Sequence, residues 1–275
     1  MATLKRTFFI FFLLALCFTG TDAKKVLKVL AIGNSFSEDA VEQYLYELAA
    51  AQGDSLVIGN AYIGGCSIDR HWNNAQTGKA EYAYRKVVGG KLTDHKNVAL
   101  KEIIRDEPWD IITLQQASHD SGLPDTYRNL GKLRDYVRSE ALKPKVRIAF
   151  HMTWAYAQNS SHGGFKNYGN DQMKMYHAIC QTVRQETRQY GIKKIIPSGI
   201  AIQNARTSIG DKLNRDGFHL DYGIGRYTAA CTWCRFLTKK KVTGNPYSPK
   251  SVDATTASVL QQAADDAFRK MKKIF

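Results

Sequence analysis

From residue 26 onward the chain alternates short apolar runs with stretches of helical periodicity. Residues 26–32, about 55–61, 109–114, 146–151 and 193–196 read as strands, and each is close to continuously apolar. Strands of that kind are buried on both faces, as in parallel sheets. Amphipathic segments at about 38–51, 125–140, 171–189, 222–237 and 254–272 read as the helices between and after them. In the second of these Leu130, Leu133 and Val137 share one face. The alternation predicts an α/β fold in which helices cover both faces of a parallel five-stranded sheet.

Two segments stand outside this pattern. Residues 66–100 form a long insertion between the second and third strands, and within it Tyr82 to Thr93 alternates around Gly89-Gly90 as a hairpin does. Residues 154–170 set Trp154, Tyr156, Phe165 and Tyr168 among Asn, Ser and Gly. This loop leaves the carboxyl end of the fourth strand, the side on which open α/β sheets bind ligands. Its aromatic rings either stack on sugar faces or pin the loop to the body.

The first residues have the make-up of an export signal. Lys5 and Arg6 precede the apolar stretch Phe8 to Phe18, and Thr21-Asp22-Ala23 offers small residues at a cleavage site. That stretch is far shorter than the ~20 residues of a membrane span, and no later segment reads as one. We therefore expect a signal peptide over 1–23 and a single mature domain over 24–275, exported to the periplasm or beyond.

The whole chain carries a net charge of +14, and the expected leader holds two cations and one acid, leaving +13. Such a surface suits acidic polysaccharide or anionic lipid, or is simply solvated. The cations are spread along the chain, with clusters at Lys239-Lys240-Lys241 and Lys270 to Lys273 where helix ends favour positive charge. No signature of a nucleic-acid-binding module accompanies them, so nucleic acid is not an expected partner. Cys66, Cys180, Cys231 and Cys234 are too few for a disulfide scaffold and fall in apolar stripes or loops. The seven histidines show no H-x-x-x-H spacing, so neither a metal nor a cofactor is expected.

Four segments at strand ends or ahead of a helix carry the chemistry. Gly33-Asn34-Ser35-Phe36-Ser37 joins the first strand to the first helix. Ile63-Gly64-Gly65-Cys66 follows the second strand, where missing side chains let a backbone N–H approach a ligand. Gln115-Gln116-Ala117-Ser118-His119-Asp120 follows the third, and Asp216-Gly217-Phe218-His219 precedes the fourth helix. Ser35 with Glu38 also fits a capping box, and an Asp-x-x-His pair can merely tie down a loop. Occurring together, they supply the nucleophile, base and acid of a serine hydrolase.

In these blocks the chain resembles the SGNH (GDSL-type) hydrolase superfamily. The resemblance implies a three-layer α/β/α, flavodoxin-like sandwich. It makes Ser35 the nucleophile, Asp216 and His219 the acid and base, and the backbone of Ser35 and Gly65 oxyanion donors, with Gly64 one position off. The third block departs from the family pattern, with His119 where an asparagine is usual. Gln116 is the expected third oxyanion donor and His119 the alternative. Asn34, His119, Trp154 and Tyr156 are the expected substrate contacts. The implied activity is hydrolysis of small acyl esters, O-acetyl groups on carbohydrate in particular, through an acyl-serine. A lipase or lysophospholipase of the same superfamily, or a non-catalytic carbohydrate-binding relative, are the competing readings.

Overall fold

The computed structural model describes residues 26–275, so the signal peptide expected over 1–23 lies outside the described residues. The apolar runs form β1 (Leu27–Gly33), β2 (Leu56–Tyr62), β5 (Ile111–Leu114), β6 (Arg147–His151) and β7 (Ile195–Ile196), all parallel. The sheet is larger than the five strands expected. β3 (Tyr82–Val88) and β4 (Lys91–Val98), the hairpin inside residues 66–100, pair antiparallel onto the free edge of β2. One mixed sheet results, in the order β4-β3-β2-β1-β5-β6-β7.

The burial of the hairpin explains why it joins. Tyr82, Ala83, Tyr84 and Val87 of β3 are buried, whereas β4 is exposed along almost its whole length. β4 carries Lys91, Asp94 and Lys96, charges that discourage further pairing at an open edge.

Helices form two packed groups that flank the sheet. One comprises α1 (Ser35–Val41), α2 (Leu45–Ala51), α7 (Ser198–Ile209), α8 (Ile224–Thr238) and α9 (Ala254–Ile274). The other contains α3 (Ile68–Thr77), α4 (Leu100–Asp106) and α5 (Leu130–Glu140). α6 (Gln172–Gln189) packs against the short 3-10 turns at 124–127 and 163–168. The continuous helix expected over 38–51 is two helices, because Tyr44 adopts the left-handed region at φ 67°. Its hydroxyl reaches across to the carbonyl of Tyr222, 2.7 Å away.

Between the layers lie Leu30, Ile32, Phe150, Trp109 and Trp233, all essentially without exposure. Burying a side chain such as Leu30 contributes ~1.5–3 kcal/mol. Cys66, Cys180, Cys231 and Cys234 are buried and free, and burial pushes the Cys66 thiol up to about 12. Among the described residues no helix is long and apolar enough to cross a membrane.

Candidate active site

Ser35, Asp216 and His219 form one hydrogen-bonded chain at the carboxyl edge of the parallel strands. The Ser35 Oγ lies 2.8 Å from Nε2 of His219, and Nδ1 of His219 lies 2.7 Å from Oδ2 of Asp216. A carboxylate only accepts, so Nδ1 carries the ring proton and Nε2 is left to accept from the serine. Burial alone raises the Asp216 carboxyl. The His219 ring and the backbone N–H groups of His219 and Phe218 outweigh it and hold the group below the usual range.

Local structure explains why the Ser35 hydroxyl is available. Asn34, not Ser35, caps α1, its Oδ1 accepting from the Phe36 N–H at 3.0 Å. Glu38 pairs with Arg85 and Arg226, so the capping-box alternative does not form. One turn into α1, fully buried Asp39 ties this helix to the histidine-bearing loop. Its Oδ2 accepts from the Leu220 N–H at 2.8 Å, and its Oδ1 from Arg215 at 3.0 Å and Arg226 at 2.8 Å. Arg215 and Leu220 bracket Asp216 to His219, so a single carboxylate fixes both sides of the Ser35–His219 contact.

Beneath the site runs a buried polar relay. Asn34 Nδ2 donates to the Cys66 carbonyl at 3.0 Å, while its Oδ1 also accepts from Gln115 Nε2 at 2.7 Å. Gln115 Oε1 accepts from His151 Nδ1 at 2.8 Å, which leaves His151 Nε2 to accept from the Ser198 hydroxyl at 3.0 Å. Burial pushes His151 down to about 3, so it remains the neutral tautomer this relay requires. The chain links the ends of β1, β2, β5, β6 and β7. Neither His151 nor Ser198 carries a sequence motif that marks it.

Gln116 does not reach the site as expected. Its Oε1 accepts from the N–H groups of Ile68 and Ala117, both at 2.9 Å, and its Nε2 donates to the Thr126 carbonyl at 2.8 Å. The amide is fully used in anchoring α3 and the 124–127 turn, with nothing left to offer a ligand. Asn34, committed to the relay, is likewise buried rather than a substrate contact.

Ser35 opens onto a cavity of about 530 Å³. Its walls come from Tyr62, Gly64 and Gly65 on one side and from Ser118, His119 and His162 on another, with Gly164, Phe218 and His219 closing it. Gly65 sits at φ 61°, a region costly for other residues, and its N–H has no partner among the described residues. Of the aromatic side chains expected to meet substrate, only His119 lines the cavity. Trp154 is buried, stacked 4.2 Å from Phe36, with its indole N–H donating to the Phe218 carbonyl at 2.9 Å. Tyr156 is buried too, bonded to the Ser118 hydroxyl at 2.7 Å. Both rings pin the 154–170 loop and brace the Asp216–His219 segment instead of facing solvent.

His162 is a cavity residue that the sequence did not single out. Its Nδ1 accepts from the Gly164 N–H at 3.0 Å, and its ring stands 4.7 Å from Phe218 and 6.0 Å from His119. Burial, then the neighbouring His119 and His219, lower its affinity for a proton. A Cβ at Gly164 would stand 2.3 Å from that of His119, so only glycine lets this loop close over His119. The described residues contain no group of three or more side chains placed to hold a metal ion.

No curated protein matches the chain. The chain is similar to a DUF4886 family protein from Bacteroides uniformis, with 52% identity and a TM-score of 0.87 over 89% of this chain and 95% of that one. A proposed SGNH hydrolase from Slackia heliotrinireducens shares 18% identity at a TM-score of 0.54, covering 77% of this chain and 99% of the other. A proposed GDSL-like lipase from Parabacteroides merdae shares 15% identity at a TM-score of 0.52, over 79% and 98%. These distant likenesses make the fold SGNH-like. The family model described as "Domain of unknown function (DUF4886)" matches residues 28–267, which include every site residue from Asn34 to His219, and the chain belongs to that family.

Proposed function

We propose that this protein is an exported serine esterase that removes small acyl groups, O-acetyl in particular, from carbohydrate. The observation that carries the reading is the Asp216–His219–Ser35 hydrogen-bond chain opening onto a cavity beside an unpartnered Gly65 N–H. In the proposed reaction His219 Nε2 takes the Ser35 proton as Oγ bonds to the ester carbonyl carbon. Asp216 holds the ring's tautomer and stabilises the imidazolium. The tetrahedral oxyanion is met by the Ser35 and Gly65 N–H groups, with His119 in the third place originally expected of Gln116. Collapse breaks the ester C–O bond, and His219 returns the proton to the departing alcohol. Water then attacks the acyl carbon, again giving its proton to His219, and the acid leaves as the serine is restored.

The shape of the cavity supports a short acyl group and a neutral leaving group. No lysine, arginine, aspartate or glutamate lines it, and glycines and small polar groups form much of its wall. The hydrolase descriptions of the two distant structural relatives fit the same reaction class. Ser35→Ala is expected to lower hydrolysis of 4-nitrophenyl acetate by on the order of 10⁴-fold or more with an unchanged melting temperature. Full activity in that variant rejects the proposal. Faster turnover of the octanoyl than the acetyl ester turns it toward a lipase.

A further inference from the structure

The opposite end of the sheet has a different composition. β1 carries the chain ~20 Å from Leu27 to Gly33, at ~3.3 Å per residue, so this amino edge lies at the other end of the sheet from Ser35 and the catalytic cavity. Here a cavity of about 990 Å³ opens where β5, β6 and β7 begin and α8 and α9 end. Its rim carries Lys193, Lys194, Lys239, Lys241 and Lys272, and no carboxylate pairs with any of them among the described residues. The rim also has Arg147, whose Nε donates to the Asp110 carbonyl at 3.4 Å. The two acids at the rim are already engaged, Asp265 with Arg235 and Asp266 with Arg269. The same cavity is also lined by Ile195, Phe236, Phe268 and Met271.

Helix ends explain only part of this charge. Lys239, Lys241 and Lys272 lie where α8 and α9 terminate, and a helix C-terminus favours cations. Arg147, Lys193 and Lys194 stand at strand starts, where no helix dipole accounts for them. A second observation concerns apolar exposure. Among the described residues, Val26, Val88, Leu92, Leu142, Met173 and Tyr222 are the large apolar side chains left exposed. Val26 precedes β1, Leu142 precedes β6, and Val88 and Leu92 flank the turn of the β3–β4 hairpin. That turn lies level with the start of β2, since Val88 pairs with Val57. Four of the six therefore stand on the amino edge, spread across the sheet's width.

We propose that the amino edge is a docking face for a membrane surface rich in anionic phospholipid headgroups. Unpaired lysines supply the attraction to headgroup phosphates, and each cation near such a surface strengthens it. The exposed apolar side chains supply what a glycan or nucleic acid would not use, contact with the acyl boundary. Docked this way, the catalytic cavity points away from the bilayer, toward whatever polymer lies beyond it. The proposal is independent of the chemistry at Ser35.

The test uses the mature chain expected from the sequence, residues 24–275. Sedimentation with phosphatidylcholine vesicles containing one third phosphatidylglycerol should carry the protein down, whereas pure phosphatidylcholine should not, and high salt should release it. Lys193→Glu/Lys239→Glu/Lys272→Glu should weaken partitioning at least ~10-fold, with hydrolysis of a soluble ester unaltered. Replacing the same three by Gln should give a smaller loss, which covers the chance that charge reversal disturbs folding. The matched reversal Lys166→Glu/Lys174→Glu/Lys250→Glu, away from this edge, should bind nearly as well as the parent. Equal loss in both triple variants, equal binding to neutral vesicles, or retention on heparin or DNA without vesicle binding overturns the proposal.

Discussion

The two ends of one sheet follow opposite electrostatic designs. At the carboxyl edge polar groups are buried and mutually satisfied. Asn34, Gln115, His151 and Ser198 form a closed relay, and Asp39 takes two hydrogen bonds from the loop that bears His219 and one from Arg226 of α8. At the amino edge Lys193, Lys194, Lys239, Lys241 and Lys272 have no carboxylate partner among the described residues. Preorganised dipoles in a dry site hold a nucleophile and base in register, because nothing there must reorganise as charge develops. Unpaired surface lysines do the reverse, acting at long range on whatever arrives and weakening with salt. The first edge should therefore respond to pH and to single deletions, and the second to ionic strength and net charge.

The largest break in that contrast comes from Asp39. Asp39→Asn keeps the shape but removes the charge that Arg226 and Arg215 share at 2.7 and 3.0 Å. Arg226 keeps Glu38 at 3.3 Å, so weakening its buried pair costs ~1.5–3 kcal/mol of stability, the range for a hydrogen bond to a charged group. Misplacing His219 against Ser35 costs about 100-fold in rate. We expect kcat to fall about 100-fold with KM little changed, measured at a temperature where the variant is folded. A rise in KM at constant kcat would show that Asp39 shapes the binding surface and not the Ser35–His219 contact.

A smaller effect separates Gln116 from His119. Gln116→Ala leaves the N–H groups of Ile68 and Ala117 buried without an acceptor, a loss of ~1–3 kcal/mol visible in thermal denaturation. It should leave kcat at low temperature near the parent value. His119→Ala should instead lower kcat by ~10–100-fold, at or below the usual cost of one oxyanion donor, without destabilising the fold. If the two variants exchange these behaviours, the Gln116 amide has access to the cavity after all.

What the sequence disclosed depends on how local each determinant is. Ser35 sits in a strand-to-helix junction, and Asp216 and His219 are three residues apart, so short motifs were enough to single them out. The hairpin at 82–93 was legible from alternation around Gly89-Gly90, but its docking on β2 was not, because that pairing joins Tyr84 to Ala61 across the intervening α3. Gln116 looked like a donor for its place after β5; its amide is instead held by Ile68, 48 positions earlier, and by Thr126, ten residues on. The role of Asp39 depends on Leu220, 181 positions later, and no spacing rule reaches that far. The continuous helix over 38–51 failed at Tyr44, whose left-handed backbone goes with a hydroxyl contact 178 residues away.

The smallest effect concerns pH, and it tests whether the buried edge carries the cost of its design. His151 and His71 are both fully buried and both held down to about 3, each chiefly by desolvation. In the unfolded chain the same side chains titrate at ~6.5. Between those values the unfolded state binds a proton that the folded state refuses, so stability is complete above pH ~6.5 and falls as the pH drops. Each histidine contributes a slope of up to ~1.4 kcal/mol per pH unit, and the two together up to ~2.7. The melting temperature should begin to fall below pH ~6, before ordinary carboxylates take up protons. His151→Gln removes one titrating group while keeping an amide to bond Gln115 and Ser198, and should cut the slope by about half. The triple Lys→Gln variant of the amino edge adds no group that titrates in this window, so its slope should match the parent's. A slope unchanged by His151→Gln would mean that His151 takes a proton in the folded protein as readily as in the unfolded one. The relay under Ser35 would then not be the closed, neutral chain that distinguishes this edge from the other.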